Sequence, residues 1–120
     1  MHSIELKKIL QKVGETADFA DITVCDVTTR GLFGDTPLHV VAIWGDIHAG
    51  KILLDAGANP NIPGEYSNTP LNEAIGQGNY EFAKLLLAHG ASKELRNEDG
   101  LTPVDLAKLS DEPRIKEIFS

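Results

Sequence analysis

Cysteine and long apolar runs are scarce in this sequence of 120 residues. An internal disulfide needs two cysteines, so Cys25 cannot form one, and no pair of cysteines has the spacing that zinc or redox chemistry requires. Charges interrupt residues 1–10 too early for the apolar region of a secretion signal. No stretch reaches the roughly 18 apolar residues of a membrane-spanning helix. These absences exclude a disulfide-stabilised secreted protein and a membrane protein, and they predict a cytoplasmic one.

Basic residues are scarce as well. Lysine and arginine total 11 against 18 aspartates and glutamates, which gives a net charge of −7. A chain with this balance repels phosphate backbones, so nucleic acid is excluded as a partner, and a basic protein surface is the more natural counterpart. The apolar share of 42% and the charged share of 24% are typical of a globular protein, and the length fits one domain.

The dominant positive feature is a period of 33 residues. A Thr-Pro pair followed by an apolar residue occurs at 36–38, 69–71 and 102–104. Three further landmarks recur at the same step, namely Gly45 at Gly78, Leu53-Leu54 at Leu86-Leu87, and Gly57-Ala58 at Gly90-Ala91. Repeats of 20 to 50 residues indicate a stack of similar structural units.

Each landmark has a local structural role. Thr before Pro favours a helix start, because the hydroxyl can accept from a free amide and Pro fits the first helical position. Gly is the usual residue just beyond a helix end. The pattern predicts helices over 37–44 and 47–56 in the first copy, and over 71–76 and 79–89 in the second. Turn-forming residues fill 59–68, so each unit is a turn or hairpin followed by two antiparallel helices.

These units resemble ankyrin repeats from about residue 31 to residue 107, and the best copy reads Gly-Asp-Thr-Pro-Leu-His over 34–39. The resemblance implies a mainly α solenoid of about three repeats in one domain over 1–120. Its parts are an N-terminal cap (1–30), repeat 1 (31–63), repeat 2 (64–96) and a C-terminal capping repeat (97–120). Ser67 departs from the family pattern, in which a hairpin Gly is usual, and Val41 replaces a common Ala.

The ends of the chain lack the repeat motif. Apolar residues at helical spacing predict a capping helix over 3–13 and a final helix over 113–119. Residues 16–21 fit a second short helix, and the β-branched residues of 22–28 fit an extended arm or a strand. This segment could also fold over Leu32, Phe33 and Trp44 and bury them as core.

No residue pattern indicates catalysis. The motifs HExxH, GxSxG, GxxxxGK[ST] and GxGxxG are absent. His39 is the strongest single candidate, yet Asn72 and Asp105 occupy its position one and two repeats later. Such side chains hydrogen-bond the helix start or the neighbouring hairpin backbone, so we interpret His39 as structural. We interpret Cys25 as a small packed residue, and we predict no enzyme activity, no cofactor and no metal.

The resemblance implies that hairpin tips and the outer end of each first helix face a partner. Carried over by position, the predicted partner-binding residues are Arg30, Leu32, Phe33, Asp35, Ile43, Trp44, Glu65, Tyr66, Asn68, Gln77, Arg96, Glu98 and Asp99, with Pro63 and Leu101 beside them. Exposed aromatic residues dominate binding energy at protein interfaces, which favours Trp44 and Tyr66. The hairpin acids either meet a basic partner or are solvated turn residues.

Two functions fit such a surface of roughly 800 Å² per partner. Small size, acidic charge and the lack of a second domain favour a dedicated inhibitor or neutraliser of one protein, for example an immunity protein that blocks a toxin. The alternative is an adaptor that links two proteins. A small-ligand binder or an enzyme is the candidate from another class. The free chain is expected to be a monomer.

Overall fold

The computed structural model describes residues 4–119 and is helical, without strands, over that range. Its α-helices are α1 (Ile4–Gly14), α2 (Pro37–Trp44), α3 (Ile47–Asp55), α4 (Pro70–Gly76), α5 (Tyr80–Ala88), α6 (Pro103–Lys108) and α7 (Pro113–Glu117). Two 3₁₀ turns lie at Ala17–Phe19 and Glu65–Ser67. The predicted helix starts and ends are confirmed to within one or two residues. Residue 3, the predicted first residue of the capping helix, lies outside the described range.

The Thr-Pro pairs begin the first helix of each repeat as predicted. Thr69 Oγ1 accepts a hydrogen bond from the Asn72 amide at 3.2 Å, and Thr102 Oγ1 accepts from the Asp105 amide at 3.2 Å. Pro occupies the first helical position in each case. At the other end of α2, Gly45 has a φ of 72°, which a residue with a Cβ rarely adopts. Local chemistry therefore sets both ends of this helix.

The helices form two layers. α2, α4 and α6 pack side by side, and α3 and α5 pack against each other and against their preceding helices. Large apolar side chains between the layers are fully buried, among them Leu38, Leu53, Leu71, Phe82 and Leu86. α1 covers α2 and α3 at one end, while α7 packs on α6 at the other. The chain is therefore a helical solenoid with a capping helix, and the hairpins between repeats project from one side of it.

Residues 15–30 match the predicted short helix and the predicted arm or strand only in part. The short helix is a single 3₁₀ turn whose Phe19 is buried in the core. Beyond it, residues 22–25 are extended but pair with no strand within the described chain. Ile22 and Val24 pack against the core, whereas Cys25 faces solvent, so the prediction that Cys25 is packed is wrong. Alternation along the extended segment turns its side chain outward.

Candidate protein-binding surface

Three hairpins line one side of the solenoid and are closed by the same backbone hydrogen bond. The amide of Gly31 donates to the Asp35 carbonyl at 2.7 Å, Gly64 to Asn68 at 2.8 Å, and Asn97 to Leu101 at 3.0 Å. These donors and acceptors are each 33 residues apart. Because the loops repeat with the helices, corresponding side chains on neighbouring tips lie in one row.

Hydrogen bonds hold each hairpin to the next. The Glu65 amide donates to Asp35 Oδ1 at 2.8 Å, and the Glu98 amide donates to the Tyr66 carbonyl at 2.9 Å. Arg30 Nη1 donates to the Pro63 carbonyl at 2.9 Å and to its own hairpin at Gly34. These bonds preorganise the row of tips, which reduces the ordering cost of binding.

Large apolar side chains on two adjacent tips are exposed. Leu32 is 58% exposed, Phe33 57% and Tyr66 64%. We call these three residues the tip cluster. Phe33 and Tyr66 are equivalent positions of neighbouring repeats, one step of 33 apart. An exposed apolar group of this kind on a small acidic protein is typical of a partner surface.

The segment before the first hairpin does not cover the tip cluster. It approaches through its backbone, since the Leu32 amide donates to the Asp18 carbonyl at 2.6 Å. Trp44, at the end of α2, is 41% exposed, and the Lys12 ammonium lies 5.5 Å from the centre of its ring. The alternative in which residues 15–30 bury Leu32, Phe33 and Trp44 is therefore wrong.

Two predicted contact residues form hydrogen bonds within the chain and are buried or partly buried. Asp35 is only 3% exposed and holds the second hairpin through the Glu65 amide, so its assignment to the partner surface is corrected. Asn68 is partly buried, and its Oδ1 accepts from Asn97 Nδ2 at 3.0 Å. Sequence alone could not separate these residues from their exposed neighbours, because their burial depends on the next repeat.

The remaining predicted residues lie at or near the surface. Ile43 and Glu65 are partly buried, and the exposed ones are Arg30, Gln77, Arg96, Glu98 and Asp99. Arg96 Nη1 donates to the Gly100 carbonyl at 2.6 Å, as Arg30 does within the first hairpin. The arginines therefore brace the hairpins while their side chains stay accessible.

His39 is enclosed and fully hydrogen-bonded. Its Nδ1 accepts from the Thr36 amide at 3.0 Å, so Nε2 carries the proton and donates to the Asn68 carbonyl at 2.9 Å. Burial lowers the pKa of His39, and the charge of Asp35 opposes that shift in part. The imidazole thus ties the helix start to the next hairpin, which confirms the structural interpretation.

Glu73 is a candidate that sequence reasoning missed. It lies on α4, partly buried, where the neighbouring repeats carry Val40 and Leu106. Burial, with the charges of Asp35 and Glu65 next in importance, raises its pKa to about 7. An acid at a repeat position that is otherwise apolar was the signal that could have identified it.

The acidic side chains extend beyond Glu73. The pKa of Glu65 is also raised, by desolvation and by the charges of Asp35 and Asp18. Asp18 additionally contributes to the raised pKa of Glu73. The 3₁₀ turn before repeat 1 and the first turns of repeat 2 therefore bring negative charge together on the hairpin side of the solenoid.

A small cavity lies beside this charge. It has a volume of about 180 Å³ and is lined by Thr16, Ala17, Asp18, Val40, Ile43 and Trp44. The α2 residues of this lining are apolar, and Asp18 is its acidic residue. Over the whole of residues 4–119, including these carboxylates, no group of three His, Cys, Asp or Glu side chains could hold a metal ion. No helix in the same range is long and apolar enough to cross a membrane.

Protein-family models match the chain across its repeats. A model described as an ankyrin repeat matches residues 33–65, and one described as ankyrin repeats in many copies matches residues 53–107. The two matches together run from residue 33 to residue 107, which is more than half of the chain. In a search of curated proteins, none matches it.

Proposed function

Because the chain belongs to the ankyrin repeat family, whose members are generally non-enzymatic protein-interaction modules, we propose that it binds one partner protein and inhibits or neutralises it. The observation that carries this proposal is the exposed tip cluster on two adjacent, hydrogen-bonded hairpins. A rigid apolar surface suits tight docking to a single target, as an immunity-type protein requires.

The proposed contact surface follows the hairpin tips and the end of α2. It contains Arg30, Leu32, Phe33, Ile43, Trp44, Glu65, Tyr66, Gln77, Arg96, Glu98 and Asp99. Asp35 and Asn68 act in it as positioning residues. We propose that the partner presents a basic surface and that the free chain is a cytoplasmic monomer. We also propose that the cap and the two repeats after it end at residues 30, 63 and 96. The net charge of −7 supports the basic partner.

Affinity capture from the source cell tests this function. The wild-type chain is used as bait beside the Trp44→Ala/Tyr66→Ala double variant. Ile4→Ala is the control, because Ile4 is an exposed apolar residue on the cap, away from the hairpins. We expect one stoichiometric protein that is retained by the control, lost by the double variant, and inhibited when the wild-type chain is added to it.

Other outcomes would contradict the proposal. Several weakly bound proteins would indicate an adaptor instead of an inhibitor. A double variant that melts many degrees below the wild type would show that Trp44 and Tyr66 support the core. Thermal melting within a few degrees of wild type is the expected result, because both side chains are exposed.

A further inference from the structure

The cavity beside α2 has the size of a side chain. At about 180 Å³ it is smaller than the 300–1,000 Å³ of common small-molecule pockets. Val40, Ile43 and Trp44 form an apolar wall, and Asp18 is the acidic residue of the lining. Such a cavity suits a long side chain with an apolar stem and a polar end.

The carboxylates beside the cavity form no ion pair within the described residues. Asp18, Glu65 and Glu73 take part in none of the three ion pairs found there. Two cations are near: Arg30, whose Nη1 donates to the Gly34 and Pro63 carbonyls, and Lys12, whose ammonium lies 5.5 Å from the centre of the Trp44 ring. A cation brought by a partner would therefore reduce the mutual repulsion of these carboxylates.

We propose that this surface binds a segment of a partner protein that carries a lysine or arginine flanked by apolar residues. The stem of the basic side chain packs on Ile43 and Trp44, and its charged end meets Asp18 and Glu73. The flanking apolar residues pack on the tip cluster. This inference rests on the proposed function and adds the chemistry of the partner.

The same arrangement makes binding depend on pH. The titratable groups facing Glu73 are the carboxylates of Asp18, Asp35 and Glu65, which raise its pKa, and the side chain of Asn68 opposes that shift. The neighbouring His39 is buried, and its pKa is lowered. An incoming cation lowers the pKa of Glu73, so binding releases a proton. With a free pKa of about 7, we expect affinity to rise roughly tenfold from pH 6 to pH 8.

A peptide selection tests the inference with the full chain. Random 12-residue peptides without His or Cys, displayed on phage, are selected on the wild type, on Glu73→Gln and on Glu81→Gln. Glu81→Gln is the matched control, because it removes the same charge from the outer helix α5. We expect basic residues with apolar neighbours to be enriched by the wild type and the control, and not by Glu73→Gln. Circular dichroism confirms that each variant is folded.

A synthetic peptide from the selection then supplies the affinities. Replacing its basic residue with norleucine is expected to weaken binding at least tenfold to the wild type and little to Glu73→Gln. Calorimetry in two buffers of different ionisation enthalpy measures the proton released on binding. We expect the wild type to release a proton and Glu73→Gln to release none. Asp18→Asn is also expected to weaken binding of the peptide.

The failures of the two proposals are distinguishable. Selected peptides that require Tyr66 but show no basic preference and no pH dependence would overturn this inference and leave the proposed function standing. If no selected peptide depends on Tyr66 or Trp44, both are overturned. A Tyr66-dependent dimer of the free chain would show that a second copy occupies the surface, which also contradicts the inference.

Discussion

At the scale of single residues, Glu73 links the binding surface to the stability of the chain. Its pKa is about 7 in the folded protein, against about 4.5 for an ordinary glutamate. The folded state therefore holds a proton more tightly than the unfolded state. The stability that this provides is complete below pH 4.5 and is lost as the pH rises through 7, because the buried side chain must then carry its charge beside other carboxylates.

Glu73→Gln is expected to remove this pH dependence. Because the side chain is partly solvated, we expect the variant to gain about 1–2 kcal/mol over the wild type between pH 5 and pH 8, less than the full pKa shift would give. Urea unfolding at both pH values measures the difference, with Glu81→Gln as the control. A difference between variant and wild type that stays constant with pH would contradict the assignment.

His39 and Asn72 occupy the same position in neighbouring repeats but differ in their hydrogen bonds. His39 uses both ring nitrogens, whereas the side-chain nitrogen and oxygen of Asn72, which is 2% exposed, have no partner. Asparagine is too short to reach the carbonyl of the next hairpin in the way that His39 reaches Asn68. An unsatisfied buried polar group costs about 1–3 kcal/mol.

Exchanging these residues between repeats is expected to have opposite effects. Asn72→His supplies the missing bond to the third hairpin and should stabilise the chain by about 1 kcal/mol, while His39→Asn should destabilise it by a similar or larger amount. Differential scanning calorimetry measures both shifts. If both variants melt below the wild type, position 72 lacks the space for an imidazole.

At the scale of structural elements, the second hairpin differs from the other two. The first and third hairpins place Gly34 and Gly100 at positive φ, whereas the second has Tyr66 at 56° and Ser67 at 59°. In the sequence, the sign of this difference was Ser67, which stands where a hairpin Gly is usual. Because left-handed backbone costs an ordinary residue about 1–2 kcal/mol, this hairpin keeps its shape through its bonds to both neighbours.

Ser67→Gly is expected to relieve this strain. The gain should be about 0.5–1 kcal/mol, because the greater freedom of glycine in the unfolded chain offsets part of it. The reverse substitution, Gly100→Ser, should destabilise the chain by a similar amount, since the space around that residue is open. Thermal melting of both variants tests the pair. A loss of stability in Ser67→Gly would show that the serine side chain supports the turn.

At the scale of the whole molecule, the main contacts of each helix pair are with its neighbours in the stack. The stability of such a stack is approximately a sum of repeat and interface contributions, so its ends open before its centre. α7 is the exposed end, held by the fully buried Ile115 and by Arg114, whose guanidinium lies 4.8 Å from the centre of the Tyr80 ring. The amides of α7 should therefore be the least protected of the helices in the repeats.

Ile115→Ala is expected to free this end without opening the centre. Hydrogen exchange should accelerate at least tenfold in α6 and α7 and remain unchanged in α2 and α4, because the cavity lies at the terminal interface. Leu109→Ala, at an exposed apolar residue, serves as the control. Uniform acceleration over the chain would indicate a single cooperative unit instead.

The repeat period, the helix starts at Thr-Pro pairs and the helix ends at Gly can all be read from the sequence, because caps and left-handed glycines act on their nearest neighbours. The exposure of Cys25, the burial of Asp35 and the position of Glu73 among carboxylates follow from the packing of the chain. Burial and charge at these residues depend on what packs against them from the next repeat or from the cap. The exposed tip cluster depends on both sequence and packing. Its position follows from the repeat period, and its accessibility follows from the path of residues 15–30.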